Sequence, residues 1–192
     1  MTVAKSFLQK GLQYMELSVF LARRLIHAGY VDVQLFKTPI GTRVVVLAER
    51  PAVVIGRRGA SVKELQEILQ KKFGIDNPQI DVVEVANPDL NAKIVAYGIA
   101  RAMARGVKFR RAALVAIRRV MEAGARGIEV VISGKLSSQR ARFEKYTAGV
   151  VYKSGMPGES IDEAVIHVLL KPGIYGVKVR IAAPEAPITV KA

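Results

Sequence analysis

The chain has 192 residues, of which 51% are hydrophobic, and it contains no cysteine. A chain of this length forms one or two domains with a substantial core, and the lack of cysteine excludes a disulfide scaffold, a thiolate metal site and cysteine-based catalysis. Lys and Arg number 30 against 16 Asp and Glu, so the formal net charge is +14. Such an excess of positive charge favours a polyanionic partner. No apolar run reaches the ~18 residues of a membrane span, and charges interrupt the first apolar residues, so we expect neither a membrane partner nor a secretory signal.

The first half of the chain alternates between helical and extended patterns. Apolar residues three and four positions apart predict that the first helix carries an apolar stripe of Leu8, Leu12, Met15, Val19 and Ala22. In chain order, the patterns predict a helix over 5–28, strands over 30–36 and 42–49, a short helix from Pro51, a helix over 61–73 and a strand over 79–85. This order indicates a first domain over residues 1–86.

The second half places two helices before a group of strands. The predicted helices cover 91–105 and 110–123, and the predicted strands cover 128–132, 142–153, 161–170 and 177–182. We expect these elements to form a second domain over residues 87–183. Pro184 and Pro187 favour an extended tail over 184–192.

A Gly-x-x-Gly loop, formed by Gly56, Arg57, Arg58 and Gly59, lies between the two short helical runs of the first domain. Glycine lets backbone approach a ligand closely, and the helix that follows points free N–H groups and a positive dipole end toward the loop. The four letters alone are more typical of ordinary helix caps than of a binding loop. With two arginines inside and helices on both sides, the pattern favours the phosphate-binding loop of KH-type RNA-binding modules.

The positive charge is concentrated in the second half of the chain, where residues 101–145 hold 12 basic and 3 acidic residues. The predicted helix over 110–123 has an expected buried face of Ala113, Leu114, Ile117, Val120 and Met121. Its charged side, extended by the loop before it, carries Lys108, Arg110, Arg111, Arg118 and Arg119. An arginine-rich solvent face is the simpler interpretation, but crowded like charges repel unless phosphates intervene. We therefore interpret these five residues as a basic ridge that faces a polyanion.

A polar segment follows the first predicted strand of the second domain. It supplies hydroxyls, an amide and cations, which suit contacts with RNA phosphates and 2′-hydroxyls. An exposed loop without a ligand is the alternative. The candidate RNA-binding residues are Lys135, Ser137, Ser138, Gln139, Arg140, Arg142 and Lys145.

The sequence gives little support for catalysis. His27 lies at a predicted helix end and His167 lies in an apolar strand, so neither is a convincing base or ligand. Asp162 and Glu163 are neighbours in a predicted strand and therefore point to opposite faces. No spacing suggests a metal site, and we expect no cofactor and no enzymatic activity.

Many short motifs occur in the order typical of one family. They include Val54-Ile55-Gly56-Arg57-Arg58-Gly59, Phe109-Arg110-Arg111-Ala112, Gly124-Ala125-Arg126-Gly127, Val131-Ile132-Ser133-Gly134-Lys135-Leu136 and Lys153-Ser154-Gly155. Over about residues 20–181 the chain resembles the ribosomal protein S-three family of the small subunit, in its archaeal and eukaryotic branch.

The resemblance implies an α+β protein. It would comprise a type II KH domain, with helices on one face of a three-stranded mixed sheet, and a C-terminal α/β domain with two helices packed on a mainly antiparallel four-stranded sheet. It also implies a cytoplasmic protein within the ribosome, a structural constituent of the small subunit that binds rRNA in the head and lines the mRNA entry channel. Implied partners are rRNA, mRNA and neighbouring head proteins of the S-ten and S-fourteen families.

The resemblance further assigns roles to the basic ridge. Arg110 and Arg111 match two family residues that help to open mRNA secondary structure. A third family position, lysine in many bacterial members, is Leu114 here. Two alternatives to the ribosomal role are a nucleic-acid lyase or nuclease, using a lysine such as Lys135 or Lys145, and a free-standing KH regulator of RNA.

Overall fold

The computed structural model describes residues 3–38, 41–155 and 161–184. The chain divides into two compact units, Met1–Ala86 and Asn87–Ala192. Among the described residues, no helix is both long enough and apolar enough to cross a membrane.

The first unit is a mixed sheet covered by helices on one face. Its elements are α1 (Val3–Arg24), β1 (Tyr30–Thr38), β2 (Gly41–Ala48), α2 (Pro51–Ile55), α3 (Ala60–Phe73) and β3 (Gln79–Glu84). The strand order is β1-β2-β3, with β1 antiparallel and β3 parallel to β2. The parallel pairing of β2 with β3 requires a crossover connection, which α2 and α3 provide. This arrangement confirms the predicted three-stranded mixed sheet of a type II KH domain.

The core of the first unit corrects the predicted face of α1. Leu17 and Leu21 are buried on α1 and pack with Val33, Val46 and Leu69. The predicted stripe is largely exposed, with Leu8 at 66%. At about 100° per residue the two sets of apolar residues lie on opposite sides of α1, so the periodicity was right and the choice of face was wrong. The helix also ends at Arg24 rather than near residue 28.

The second unit is an antiparallel sheet with two helices. Its elements are α4 (Ala92–Ala104), α5 (Phe109–Glu122), β4 (Gly127–Gly134), β5 (Arg142–Gly149), β6 (Ile161–Leu170) and β7 (Gly173–Ala182). The strand order is β5-β4-β7-β6, and every neighbouring pair is antiparallel. This architecture confirms the predicted four-stranded sheet with two packed helices.

Alternate residues of the central strands form the core of the second unit. Ile128, Val130 and Ile132 of β4 join Val177, Val179 and Ile181 of β7 beneath the two helices. Asp162 on β6 attaches α4 to the sheet, because its carboxylate accepts a 2.7 Å hydrogen bond from the backbone N–H of Ala92. Asp162 is therefore a structural residue, and its neighbour Glu163 lies on the opposite face with Lys178.

The predicted strand over 142–153 is shorter in the structure because β5 ends at Gly149. Gly149 has φ +69°, and a Cβ there would lie 2.8 Å from the Cα of Gly127. The backbone N–H of Val150 then bonds to the carbonyl of Arg126, which turns the chain out of the ladder. Nearly all of the predicted tail, residues 185–192, lies outside the described residues.

Candidate nucleic-acid interface

The Gly-x-x-Gly loop connects α2 to α3 through positive-φ backbone. Gly56 has φ 72° and ψ 179°, and a Cβ at this position would lie 2.9 Å from the Cβ of Ser61. Gly59 has φ 74°, and the space beside its Cα is open. Arg58 also adopts a left-handed conformation, at φ 54°. The loop therefore needs glycine at its first position for both backbone and space, and it presents open backbone at its second.

The charges of this loop have no acidic partner among the residues that the structure describes. Arg57 and Arg58 are exposed and form no ion pair or side-chain hydrogen bond with any described residue. No side chain caps the N-terminus of α3, and the first turn of α3 contains no acidic residue. Two uncompensated guanidinium groups thus lie beside an uncapped helix N-terminus, which attracts anions.

The basic ridge lies on the exposed side of α5, and its helical phase differs from the prediction. Ala112, Ala113, Ile117 and Val120 are buried, whereas Leu114 is 58% exposed. Ala112 is part of the core and Ala116 packs against it, so at about 100° per residue the buried face lies away from Leu114. The prediction that Leu114 is buried was therefore wrong. Leu114 lies between Arg111 and Arg118, three residues from one and four from the other.

Most of the ridge is uncompensated. Lys108, Arg111, Arg118 and Arg119 are exposed, and none of them forms an ion pair or side-chain hydrogen bond within the described part of the chain. The α5 helix has no acidic residue in its first turn and no side-chain cap at its N-terminus. These four residues therefore form a concentrated positive surface to which no described acidic residue supplies a counter-charge.

Arg110 differs from the rest of the ridge because Glu144 on β5 holds it. Its Nε and Nη2 atoms donate to the two carboxylate oxygens of Glu144, at 3.2 and 3.0 Å. The hydroxyl of Tyr146 donates to the same carboxylate. Hydrogen bonds from Arg110 and then Tyr146 lower the pKa of Glu144 below its ordinary value. The charge of Arg110 is therefore already balanced within the unit.

The β4–β5 connection carries most of the predicted RNA-binding segment. The start of this connection is anchored, since the Tyr175 hydroxyl donates to the backbone carbonyl of Lys135 and the Leu136 side chain packs against the core. The polar side chains of the connection are exposed and make no side-chain hydrogen bond or ion pair with described residues. These side chains are Lys135, Ser137, Ser138, Gln139, Arg140 and Arg142.

Lys145 lies apart from the other predicted residues. Successive side chains of a strand alternate between faces, so Lys145 points away from the face on which Glu144 meets Arg110. Its Nζ lies 3.1 Å from Glu129, which also pairs with Lys153 at 2.9 Å and Arg180 at 3.2 Å. The Glu129 residue is only 3% exposed. Burial raises the pKa of Glu129, but hydrogen bonds from Lys153 and Lys145 outweigh it, so the pKa lies below its ordinary value.

The structure brings two of the three predicted groups together. Lys108 and Arg110 of the ridge and Ser137 of the β4–β5 connection line one cavity. The Gly-x-x-Gly loop belongs to the other unit. Sequence reasoning missed Glu144, whose only signal was its place in an alternating strand, and Glu129, an acid within an apolar strand. No cluster of three or more metal-ligating side chains occurs among the described residues.

Comparison with known proteins assigns both units. The family model described as "KH domain" matches residues 16–90, and the one described as "Ribosomal protein S3, C-terminal domain" matches residues 99–181.

Curated relatives extend the match to nearly the whole chain. The small ribosomal subunit protein uS3 of Thermofilum pendens is 63% identical over 98% of this chain and 95% of its own length. The proteins of the same name from Pyrobaculum aerophilum and Sulfurisphaera tokodaii are 53% and 49% identical, over 94% and 95% of this chain and 84% and 81% of their own lengths. These relatives are named as ribosomal proteins, and their names do not support the alternative of a nucleic-acid lyase or nuclease. The chain belongs to the ribosomal protein S3 family, in its archaeal branch.

Proposed function

We propose that this protein is a structural constituent of the small ribosomal subunit that binds rRNA in the head and lines the mRNA entry channel. The observation that carries the proposal is a set of exposed cations on and just before α5 that have no ion pair or side-chain hydrogen bond with a described residue, namely Lys108, Arg111, Arg118 and Arg119. In the unbound protein these crowded cations repel one another and do not stabilise the fold. Phosphates of an RNA chain relieve the repulsion and release counterions.

The distribution of acids supports this proposal. Among the described residues, seven acidic residues form ion pairs: Glu49, Glu64, Glu67, Asp81, Glu129, Glu144 and Glu163. Of the cations that they neutralise, Arg110 alone belongs to the ridge, and the other four ridge cations keep their charge without an ion pair to a described residue. An external anion such as RNA supplies the missing counter-charge.

Each group of residues has a distinct role in the proposal. The Gly56–Gly59 loop contacts the RNA backbone through its uncapped helix N-terminus and through Arg57 and Arg58. The β4–β5 connection contacts rRNA through cations and hydroxyls that have no partner in the fold. Arg110 and Lys145 contribute indirectly, because each is held by a carboxylate, Glu144 and Glu129 respectively.

The exposed ridge also suits the mRNA-opening role expected from the resemblance. Arg111 and Arg118 flank Leu114 on one face of α5, so the third family position presents an apolar side chain between two cations. In this arrangement Arg118 replaces the missing third charge one turn further along the helix. In this proposal the protein belongs to the cytoplasmic ribosome and lies at the mRNA entry channel. There it also contacts neighbouring head proteins of the S-ten and S-fourteen families.

The proposal is tested by the fraction of protein that sediments with small subunits. The variant Arg111→Ala/Arg118→Ala should reduce this fraction, and raised salt should reduce it further, because phosphate contacts are lost. The matched control Arg23→Ala/Lys171→Ala removes the same charge from exposed positions outside the interface and should sediment like the native protein. Equal behaviour of the two variants would refute the assignment of the ridge.

A further inference from the structure

A cavity of about 470 Å³ opens in the second unit beside the start of α5. The α4–α5 turn, the β4–β5 connection and the two strands β6 and β7 all contribute to its wall. The apolar and aromatic part of that wall includes Met103, Phe109, Leu136, Leu170 and Tyr175. A volume of this size is typical of small-ligand sites, which range over roughly 300–1,000 Å³.

The apolar wall is held in place by the fold. Met103 and Tyr175 are buried, and Phe109, Leu136 and Leu170 pack against the core. The Tyr175 hydroxyl already donates to the carbonyl of Lys135, so this polar group is satisfied inside the protein. The wall therefore offers mainly apolar surface to a bound molecule. It does not select for a particular pattern of hydrogen-bond donors and acceptors on that molecule.

The rim of the cavity is positive. Lys108 and Arg110 line it together with the hydroxyl-bearing Ser137, and no acidic residue lines it. Arg110 pairs with Glu144, and its Cζ atom lies 5.7 Å from the centre of the Phe109 ring. The side chains of Lys108 and Ser137 have no partner among the described residues and can contact an occupant. The combination of an apolar wall, an exposed guanidinium group at the rim and a free cation is complementary to one nucleotide.

We propose that this cavity takes one unstacked base of single-stranded RNA, with an adjacent phosphate on Lys108 and the Ser137 hydroxyl at its sugar or phosphate. This inference rests on the proposed function, because it requires the protein to bind RNA. It goes further in giving the surface around the start of α5 a contact with a nucleobase as well as contacts with phosphates. Because stacking is available to every base and the wall has few free hydrogen-bonding groups, discrimination between bases is weak.

The test compares intact and abasic RNA. The full chain is titrated with oligouridine of about twelve nucleotides, within the site sizes of single-strand binders, and with an abasic ribose-phosphate chain of equal length. Three proteins are used: the native chain, Ser137→Phe, which fills the cavity, and Ser138→Phe, a matched control at a neighbouring exposed position that does not line the cavity. The native preference for intact RNA should fall about tenfold in Ser137→Phe, the worth of one stacked base, and should persist in Ser138→Phe.

Each other outcome contradicts the inference in a recognisable way. If Ser137→Phe keeps the native preference for intact RNA while binding stays salt-sensitive, the cavity holds no base and the proposed function stands. If Ser137→Phe impairs only assembly into small subunits, a protein segment fills the cavity instead. If no salt-sensitive binding is seen at all, the proposed function itself fails.

If the Ser137→Phe variant does not fold, a second measurement on the native chain tests the inference. Photocrosslinking of the native chain with oligo(4-thiouridine) should label residues of the cavity wall, such as Phe109 or Leu136. Crosslinks confined to other surfaces would overturn the inference without any variant.

Discussion

Arg110 and Arg111 are adjacent in sequence and carry the same charge, yet the structure predicts that they contribute differently to RNA binding. Arg110 is held by both oxygens of Glu144, whereas Arg111 has no partner among the described residues. For single-stranded RNA the slope of log affinity against log salt changes by about 0.7 for each phosphate contact. We expect Arg111→Ala to reduce this slope by about 0.7 and Arg110→Ala to leave it nearly unchanged.

Removing the acid should reverse the behaviour of Arg110. In Glu144→Gln the neutral amide no longer balances the guanidinium charge, so Arg110 becomes available to a phosphate. The slope should then become steeper by about 0.7, and the double variant Glu144→Gln/Arg110→Ala should return to the native slope. Fluorescence anisotropy of a labelled single-stranded RNA over a salt series measures the slopes of the native chain and of the four variants. Equal losses from Arg110→Ala and Arg111→Ala would refute the reasoning, as would an unchanged slope in Glu144→Gln.

Three further predictions concern stability and the ridge. Burial raises the pKa of Glu129, yet hydrogen bonds from Lys153 and Lys145 keep this pKa below its ordinary value. The ionised Glu129 carboxylate therefore stabilises the fold fully above the unfolded-state pKa near ~4.3, and this stabilisation is lost as pH falls through the folded-state pKa. Urea unfolding should show that Glu129→Gln is less stable than the native chain at neutral pH and loses less stability on acidification; parallel pH curves would contradict this. Asp162→Ala removes the carboxylate that accepts from Ala92 and should cost about 0.5–2 kcal/mol in the same assay. The side-chain oxygen of Asn91 also accepts hydrogen bonds from the backbone N–H groups of Lys93 and Ile94, and an unchanged midpoint would show that Asn91 alone caps α4. Leu114→Lys adds an exposed cation to the ridge and should steepen the salt slope of RNA binding by about 0.7, unlike Val83→Lys, a matched control at an exposed position of the first unit.

The loop and the order of elements were predictable from sequence because local chemistry determines them. Gly56 and Gly59 adopt the positive φ values that make glycine necessary or favourable, and the loop lies between α2 and α3 as expected. Strands β5 and β7 of the second unit show over most of their length the alternation that burial on one face imposes. In these cases each residue's type reports directly on its own backbone conformation or burial.

The faces of helices were less predictable because packing partners decide them. On α1, Leu8 and Leu17 belong to apolar stripes on opposite sides, and only contact with the sheet selects the stripe of Leu17. On α5, Ala112 is part of the core and Ala116 packs against it, so the buried face lies away from Leu114. The periodicity of the hydrophobic residues determines the spacing within an apolar stripe. Where a helix has two such stripes, the tertiary structure determines which of them is buried.

The pairing of Arg110 with Glu144 was not predictable from sequence. The two residues are 34 positions apart, and their contact depends on the register of β5 against β4 and on how α5 lies across the sheet. The cavity beside the start of α5 has the same origin, since the α4–α5 turn, the β4–β5 connection and the strands β6 and β7 converge on it. Sequence therefore indicated which residues carry charge, and the fold determined which of those charges remain uncompensated.

The account depends most on the claim that RNA neutralises the cations that the fold leaves unpaired. Arginine modification with phenylglyoxal, mapped by mass spectrometry, tests this claim directly in the free protein and in assembled small subunits. We predict that Arg111, Arg118 and Arg119 react in the free protein, are protected in the subunit and react again after ribonuclease digestion. Equal reactivity of these arginines in the free and assembled protein would contradict the account.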